Sequence, residues 1–117
     1  RRLEPQESGQ KKSGGIKRFG RLIIDSNSRQ VIYQDRDIPL TTIEFDLFNI
    51  LAEHSGEVVE RNFLYHSVKG FDWDGADRSI DMAVSKLRKK MNDPPENPSK
   101  IKTIWGTGYL FSQNAWG

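Results

Sequence analysis

The sequence predicts an α+β domain on three observations: short strand-like runs broken by turn residues between Phe19 and Leu40, three segments with helical spacing between Thr41 and Met91, and two more strand-like runs around Gly106-Thr107-Gly108. The 117 residues leave room for one domain of roughly 100 residues with a single core. The opening RRLEPQESGQKKSGGIKR has only Leu3 and Ile16 as large apolar residues, too few to offset chain entropy. Residues 1–18 are therefore expected to be a flexible linker, 19–113 the folded domain and 114–117 a C-terminal tail.

In chain order, FGRLIID, RQVIYQ and DIPL are separated by Ser26-Asn27-Ser28 and by Asp35-Arg36, so they read as an antiparallel meander. Pro39 has no amide donor and belongs at the sheet edge or just past its end. Thr41-Thr42-Ile43-Glu44 matches a capping box and starts the first helix. Its expected buried stripe is Ile43, Leu47, Ile50 and Leu51, with Gly56 as a left-handed stop. A shorter helix from about Arg61 to Val68 should bury Phe63, Leu64 and Val68, and Glu60 is a poor N-cap for it. GFDWDGAD is a loop, with Asp77 a plausible N-cap for the third helix. Pro94, Pro95 and Pro98 end that helix, and KIKTIW and GYLFS form a terminal hairpin.

The third helix, RSIDMAVSKLRKKM, is the most informative segment. Ile80, Val84, Leu87 and Met91 recur at i, i+4, i+7 and i+11 and make one buried stripe. Arg78, Met82, Ser85 and Lys89 lie opposite it, with Lys86 beside them, so the free face carries long cations and small polar groups. Such a face suits a major groove, where cations meet phosphates and short side chains reach base edges; the competing reading is a merely solvated basic helix. Charge distribution favours the first. Lys plus Arg against Asp plus Glu runs six to two over residues 1–18, five to eleven over 19–77 and seven to three over 78–117. A net charge of only +2 thus hides a polarised surface with a basic C-terminal third. Lys90 and Lys102 join Arg78, Lys86 and Lys89 as expected phosphate partners, whereas Arg88 lies nearer the dry stripe and is expected in an internal ion pair.

Other function classes find little support. No apolar run approaches the roughly 18 residues of a membrane span, and the N-terminal cations lack a following apolar signal segment, so a cytoplasmic protein is expected. Without cysteine there is no disulfide or thiolate metal site. His54 and His66 are isolated and read as surface or helix-end residues, and Asp72 and Asp74 as a solvated loop. No nucleophile, base and orienting group assemble, so neither an enzyme nor a cofactor or metal site is expected. Gly106-Thr107-Gly108 lies between strands and is turn chemistry, not a phosphate-cradling loop.

Three helices, the last basic, followed by a tight hairpin describe a winged helix-turn-helix. The segments LTTIEFDLFNILAEHSGEVVERNFL, DRSIDMAVSKLRKKM and IKTIWGTGYLF resemble, in order and spacing, the effector domain of OmpR/PhoB-type response regulators of bacterial two-component systems, over about residues 19–113. The resemblance implies a four-stranded N-terminal sheet, the third helix in the major groove of double-stranded promoter DNA and the wing at the adjacent minor groove. It also implies a phosphorylated receiver domain N-terminal to this segment and two copies head to tail on tandem half-sites; with no obvious dimerisation helix, a monomer is expected in isolation.

By the same resemblance, Arg78, Ser79, Asp81, Met82, Ser85, Lys86 and Lys89 occupy positions used for bases or phosphates, and Thr103 and Thr107 positions near the backbone. Chemically, Arg78 and Lys89 suit phosphates; Met82 suits a thymine methyl, Ser85 either partner of a pair and Lys86 guanine acceptors. Asp81 has two readings, a first-turn carboxylate favoured by the helix dipole or an acceptor for a cytosine amino group. Trp105 departs from the family, which usually has an Arg at the wing tip; it either packs against the protein or meets sugar edges. Small residues at Ala83 and Ser85 imply more reliance on backbone and shape readout. The alternative is a protein-interaction module that contacts the transcription machinery. The loop Phe71, Asp72, Trp73, Asp74 is where the resembled family can meet RNA polymerase, although a core role for Trp73 competes with this.

Overall fold

The computed structural model describes residues 15–117. Strands β1 (Ile16–Phe19), β2 (Leu22–Asp25), β3 (Gln30–Tyr33) and β4 (Arg36–Asp37) form an antiparallel sheet in chain order. Alternation gives it one dry face: Leu22, Ile24, Val31 and Tyr33 are buried. FGRLIID is therefore two strands, not one, because Gly20 takes a φ of +58° and folds Phe19 back against Leu22. Strand β1 also corrects the expected linker: Ile16, Lys17 and Arg18 pair with Asp25, Ile24 and Ile23. The rest of the linker, residues 1–14, lies outside the described residues. Between β3 and β4, Gln34 and Asp35 are both left-handed, as a two-residue hairpin turn requires. Pro39 follows β4 at the sheet edge, as expected.

Helix α1 (Thr42–Glu53) starts with the expected capping box: the Glu44 amide donates to Thr41 Oγ1 at 3.3 Å and the Thr41 amide to Glu44 Oε1 at 3.1 Å. Its buried face is wider than the expected stripe. Phe45, Leu47, Phe48, Leu51 and Ala52 are buried, while Ile43 and Ile50 are only partly covered. The reason is that α1 is packed against α2 (Arg61–Lys69), α3 (Ser79–Lys90) and the C-terminal sheet together. Gly56, at a φ of +81°, follows the end of α1.

In α2, Leu64 and Tyr65 are buried, but Phe63 is 46% exposed, which corrects the expected helix face by one position. Glu60 makes no side-chain cap, as anticipated, and Gly70 closes the helix in the left-handed conformation. A three-residue strand, β5 (Val58–Glu60), was not expected. It pairs with β7 (Gly108–Phe111), which also pairs with β6 (Ile101–Ile104), so the hairpin is part of a three-stranded sheet ordered β5-β7-β6. Gly108 permits this, because a Cβ there would stand 2.0 Å from the Val59 carbonyl oxygen.

The C-terminus is not a tail. Trp116 is fully buried, stacked on Phe111 at 5.0 Å and edge-on to Tyr33 and Phe48, and its carbonyl accepts the Arg21 amide at 3.0 Å. The folded unit thus includes residues 114–117. Among the described residues, no helix is long and apolar enough to cross a membrane.

Candidate nucleic-acid interface

Helix α3 is fixed from three sides, and that leaves one side free. Its dry stripe is the expected one: Ile80, Val84, Leu87 and Met91 are buried, joined by Ala83. The loop before it is built by two carboxylates. Asp74 Oδ1 accepts the Ala76 and Asp77 amides, and Asp77 Oδ1 accepts the Ser79 amide and hydroxyl at 2.8 and 2.6 Å. These bonds hold both carboxyls below their ordinary pKa, chiefly the Ala76 amide for Asp74 and the Ser79 hydroxyl for Asp77. This corrects the expected N-cap: Arg78 holds that position without a side-chain cap, and Asp77, one residue earlier, accepts the Ser79 amide and hydroxyl.

The two flanks of α3 are locked by polar side chains. Asp81 Oδ1 accepts from Arg61 Nε at 3.1 Å and from the Tyr109 hydroxyl, while Arg78 Nε lies 3.4 Å from Oδ2. Arg61 lies over the rings of Trp73 at 5.2 Å and Tyr109 at 5.6 Å. One node thus joins α2, α3 and β7. Burial, reinforced by Asp81 and opposed by Arg61, raises the Tyr109 pKa, so this hydroxyl stays a donor. Asp81 is the first-turn carboxylate of the first reading, and its oxygens also serve an internal junction with Arg61, Tyr109 and Arg78. On the other flank, Arg88 reaches β6, donating through Nε and Nη2 to the Ile101 carbonyl at 2.9 and 2.7 Å and through Nη2 to Thr103 Oγ1 at 2.6 Å. Arg88 is internal, as expected, but its acceptors are a carbonyl and a hydroxyl instead of a carboxylate. Thr103 is correspondingly drawn toward α3, and by strand alternation Lys102 faces the other side of the sheet.

What remains in solvent is Arg78, Met82, Ser85, Lys86 and Lys89. Met82 is 57% exposed. Ser79 is half-buried, its hydroxyl donated to Asp77. Lys90 leaves the expected set of phosphate partners, since its Nζ donates to Glu44 Oε1 at 2.6 Å and to the Pro39 carbonyl at 2.9 Å. Burial opposes ionisation of Glu44, yet the bonds from Lys90 and the Thr41 amide outweigh it and hold its carboxyl below the ordinary range.

At the hairpin tip, Trp105 is 89% exposed, which overturns packing against the protein. Thr107 is exposed beside it, with its carbonyl accepting the Arg61 amide at 3.1 Å. In the loop after α2, Phe71 is 45% exposed, but Trp73 is stacked on Tyr65 at 5.9 Å and donates from Nε1 to the Asp77 carbonyl at 2.9 Å. Asp72 is 3.3 Å from His66 Nδ1.

Sequence reasoning missed Arg61, Tyr109 and Asp93. The first two join Asp81 across 20 and 28 residues, with no local spacing to mark them. Asp93 is 2% exposed and accepts the Ser99, Lys100 and Ile101 amides, which sets the start of β6. Its position between a helix end and three prolines was the one available signal.

A basic helix clamped across a three-helix unit, with a rigid hairpin fastened to its flank, is a winged helix-turn-helix. The chain belongs to the family described as transcriptional regulatory protein, C terminal, which matches residues 35–111. It is 43% identical over 98 residues to the transcriptional regulatory protein RstA of Escherichia coli strain K12, covering 84% of this chain and 41% of that protein. The chain thus spans less than half of this relative. Among solved structures it is similar to the Klebsiella pneumoniae RstA DNA-binding domain in complex with RstA box, with a TM-score of 0.81, 40% identity, and coverage of 85% of this chain and 98% of that one. The DNA-binding domain of CpxR from E. coli follows at a TM-score of 0.76 and 32% identity, covering 86% and 98%.

Proposed function

We propose that this chain is the output domain of a two-component response regulator, binding double-stranded promoter DNA sequence-specifically with α3 in the major groove and the hairpin wing at the adjacent minor groove. The observation that carries this reading is the free face of α3. Its cations, Ser85 and Met82 face solvent, while Asp81 and Arg88 hold the helix on both flanks. A preorganised helix loses little freedom on binding. Arg78 and Lys89 take phosphates; Met82, Ser85 and Lys86 face base edges. Family membership and the DNA-bound relative support the same reading.

The role requires neither catalysis nor a cofactor of the domain's own. It places the protein in a bacterial cytoplasm, at the nucleoid when bound, under the control of a phosphorylated receiver domain preceding this segment. Phe71, exposed on the loop after α2, favours a concurrent contact with RNA polymerase through that loop. Selection of bound duplexes from a random-sequence library tests the proposal: a reproducible motif is expected, and recovery of unenriched sequence would contradict it.

A further inference from the structure

Trp105 is the most exposed large apolar side chain described, a costly placement for an indole, which normally finds cover. The tip that carries it is well fixed. The Thr107 amide donates to the Ile104 carbonyl at 3.0 Å, Gly106 adopts a φ of +80°, and the Thr107 carbonyl accepts the Arg61 amide. Arg61 binds Asp81 of α3, and Arg88 of α3 binds β6, so the indole and the free face of α3 form one rigid platform. On the turn it follows the half-buried Ile104 and precedes Gly106 and Thr107. A single exposed ring beside a half-buried isoleucine and a glycine is a small patch for a protein partner, but it is slender enough for a minor groove about 6 Å wide.

Resting on the DNA-binding reading above, we propose that Trp105 is the specificity-determining residue of the wing. Its indole lies against deoxyribose and base edges of the minor groove next to the site held by α3. An uncharged ring gains nothing from the enhanced negative potential of narrow A·T grooves that attracts arginine. Its preference follows groove width and the ease of opening a base step, as for other apolar side chains that enter this groove. The wing of this protein therefore favours flexible pyrimidine–purine steps over stiff A-tracts.

The test uses the whole chain and a duplex selected by it from a random library, remade with an A-tract, a mixed sequence or a TA step beneath the wing. Trp105→Ala and Trp105→Arg should both fold, since the indole is almost entirely in solvent. Trp105→Ala is expected to bind about tenfold more weakly, a typical loss for an aromatic contact to a base. Trp105→Arg should move the preference to the A-tract and steepen the salt dependence by one cation, about −0.9 in slope. Acrylamide should quench the Trp105 emission, identified by its loss in Trp105→Ala, and saturating duplex should protect it. Unchanged affinity of Trp105→Ala, or emission that stays quenchable on the duplex, overturns the proposal while leaving DNA binding intact. Failure of the wild-type chain to bind any duplex overturns the underlying reading, and the proposal with it.

Discussion

Asp81 and Ser85 stand one helical turn apart on α3, yet one is tied into the protein and the other faces solvent. The difference predicts different consequences for their loss. Asp81→Ala leaves the half-buried Arg61 without its carboxylate, at a cost of about 1–3 kcal/mol in stability. It should weaken binding to specific and random duplexes alike, because it positions the helix and reads nothing; urea melts and binding to both kinds of duplex check this. Ser85→Ala and Lys86→Ala should cost roughly 1–3 kcal/mol on the preferred site and less on random DNA. Lys89→Ala should cost both equally. Equal losses for Ser85, Lys86 and Lys89 would mean that the centre of the helix does not read bases.

At the scale of elements, the capping box of α1 reaches further than its own helix, because Glu44 also receives Lys90 from the end of α3. The lowered pKa of Glu44 means that its stabilisation is present above the ordinary carboxylate pKa and is lost as pH falls through the folded value. Lys90→Met should therefore destabilise by about 1–3 kcal/mol at neutral pH, with the deficit shrinking once the medium is acid enough to protonate Glu44. Parallel denaturation of both proteins across that range gives the comparison. Trp116→Ala should cost about 3–5 kcal/mol, the penalty for emptying a core aromatic site. A removable tail would show no change. What the sequence made legible was whatever is local: the Thr41-Glu44 box, the stripe from Ile80 to Met91 and the turn at Gly106. What it concealed depends on partners far along the chain. Val58 to Glu60 becomes a strand only because Gly108 lets β7 come close, and Asp81 turns inward only because Arg61 and Tyr109 meet it there. Trp116 looked like a tail for the same reason, since Phe48, Phe111 and Tyr33 cover it from three elements.

For the whole molecule, we propose that two copies lie head to tail on DNA, with the N-terminal sheet of one meeting the wing side of the next, a reading that the polarity of charge favours. The isolated chain should be monomeric. Affinity should rise when a second half-site is added in the same orientation about one helical turn away, roughly 10–11 base pairs, and the gain should vanish when half a turn is inserted. Tighter binding to an inverted repeat would exclude this arrangement without touching DNA binding itself. The central claim is that the free face of α3 meets phosphates, and salt dependence tests it most directly. With Arg78 and Lys89 as the cations of that face that meet phosphates, log K against log salt on one selected duplex should fall with a slope of about −2 or steeper, since each neutralised phosphate contributes about −0.9. A flat line would contradict the account.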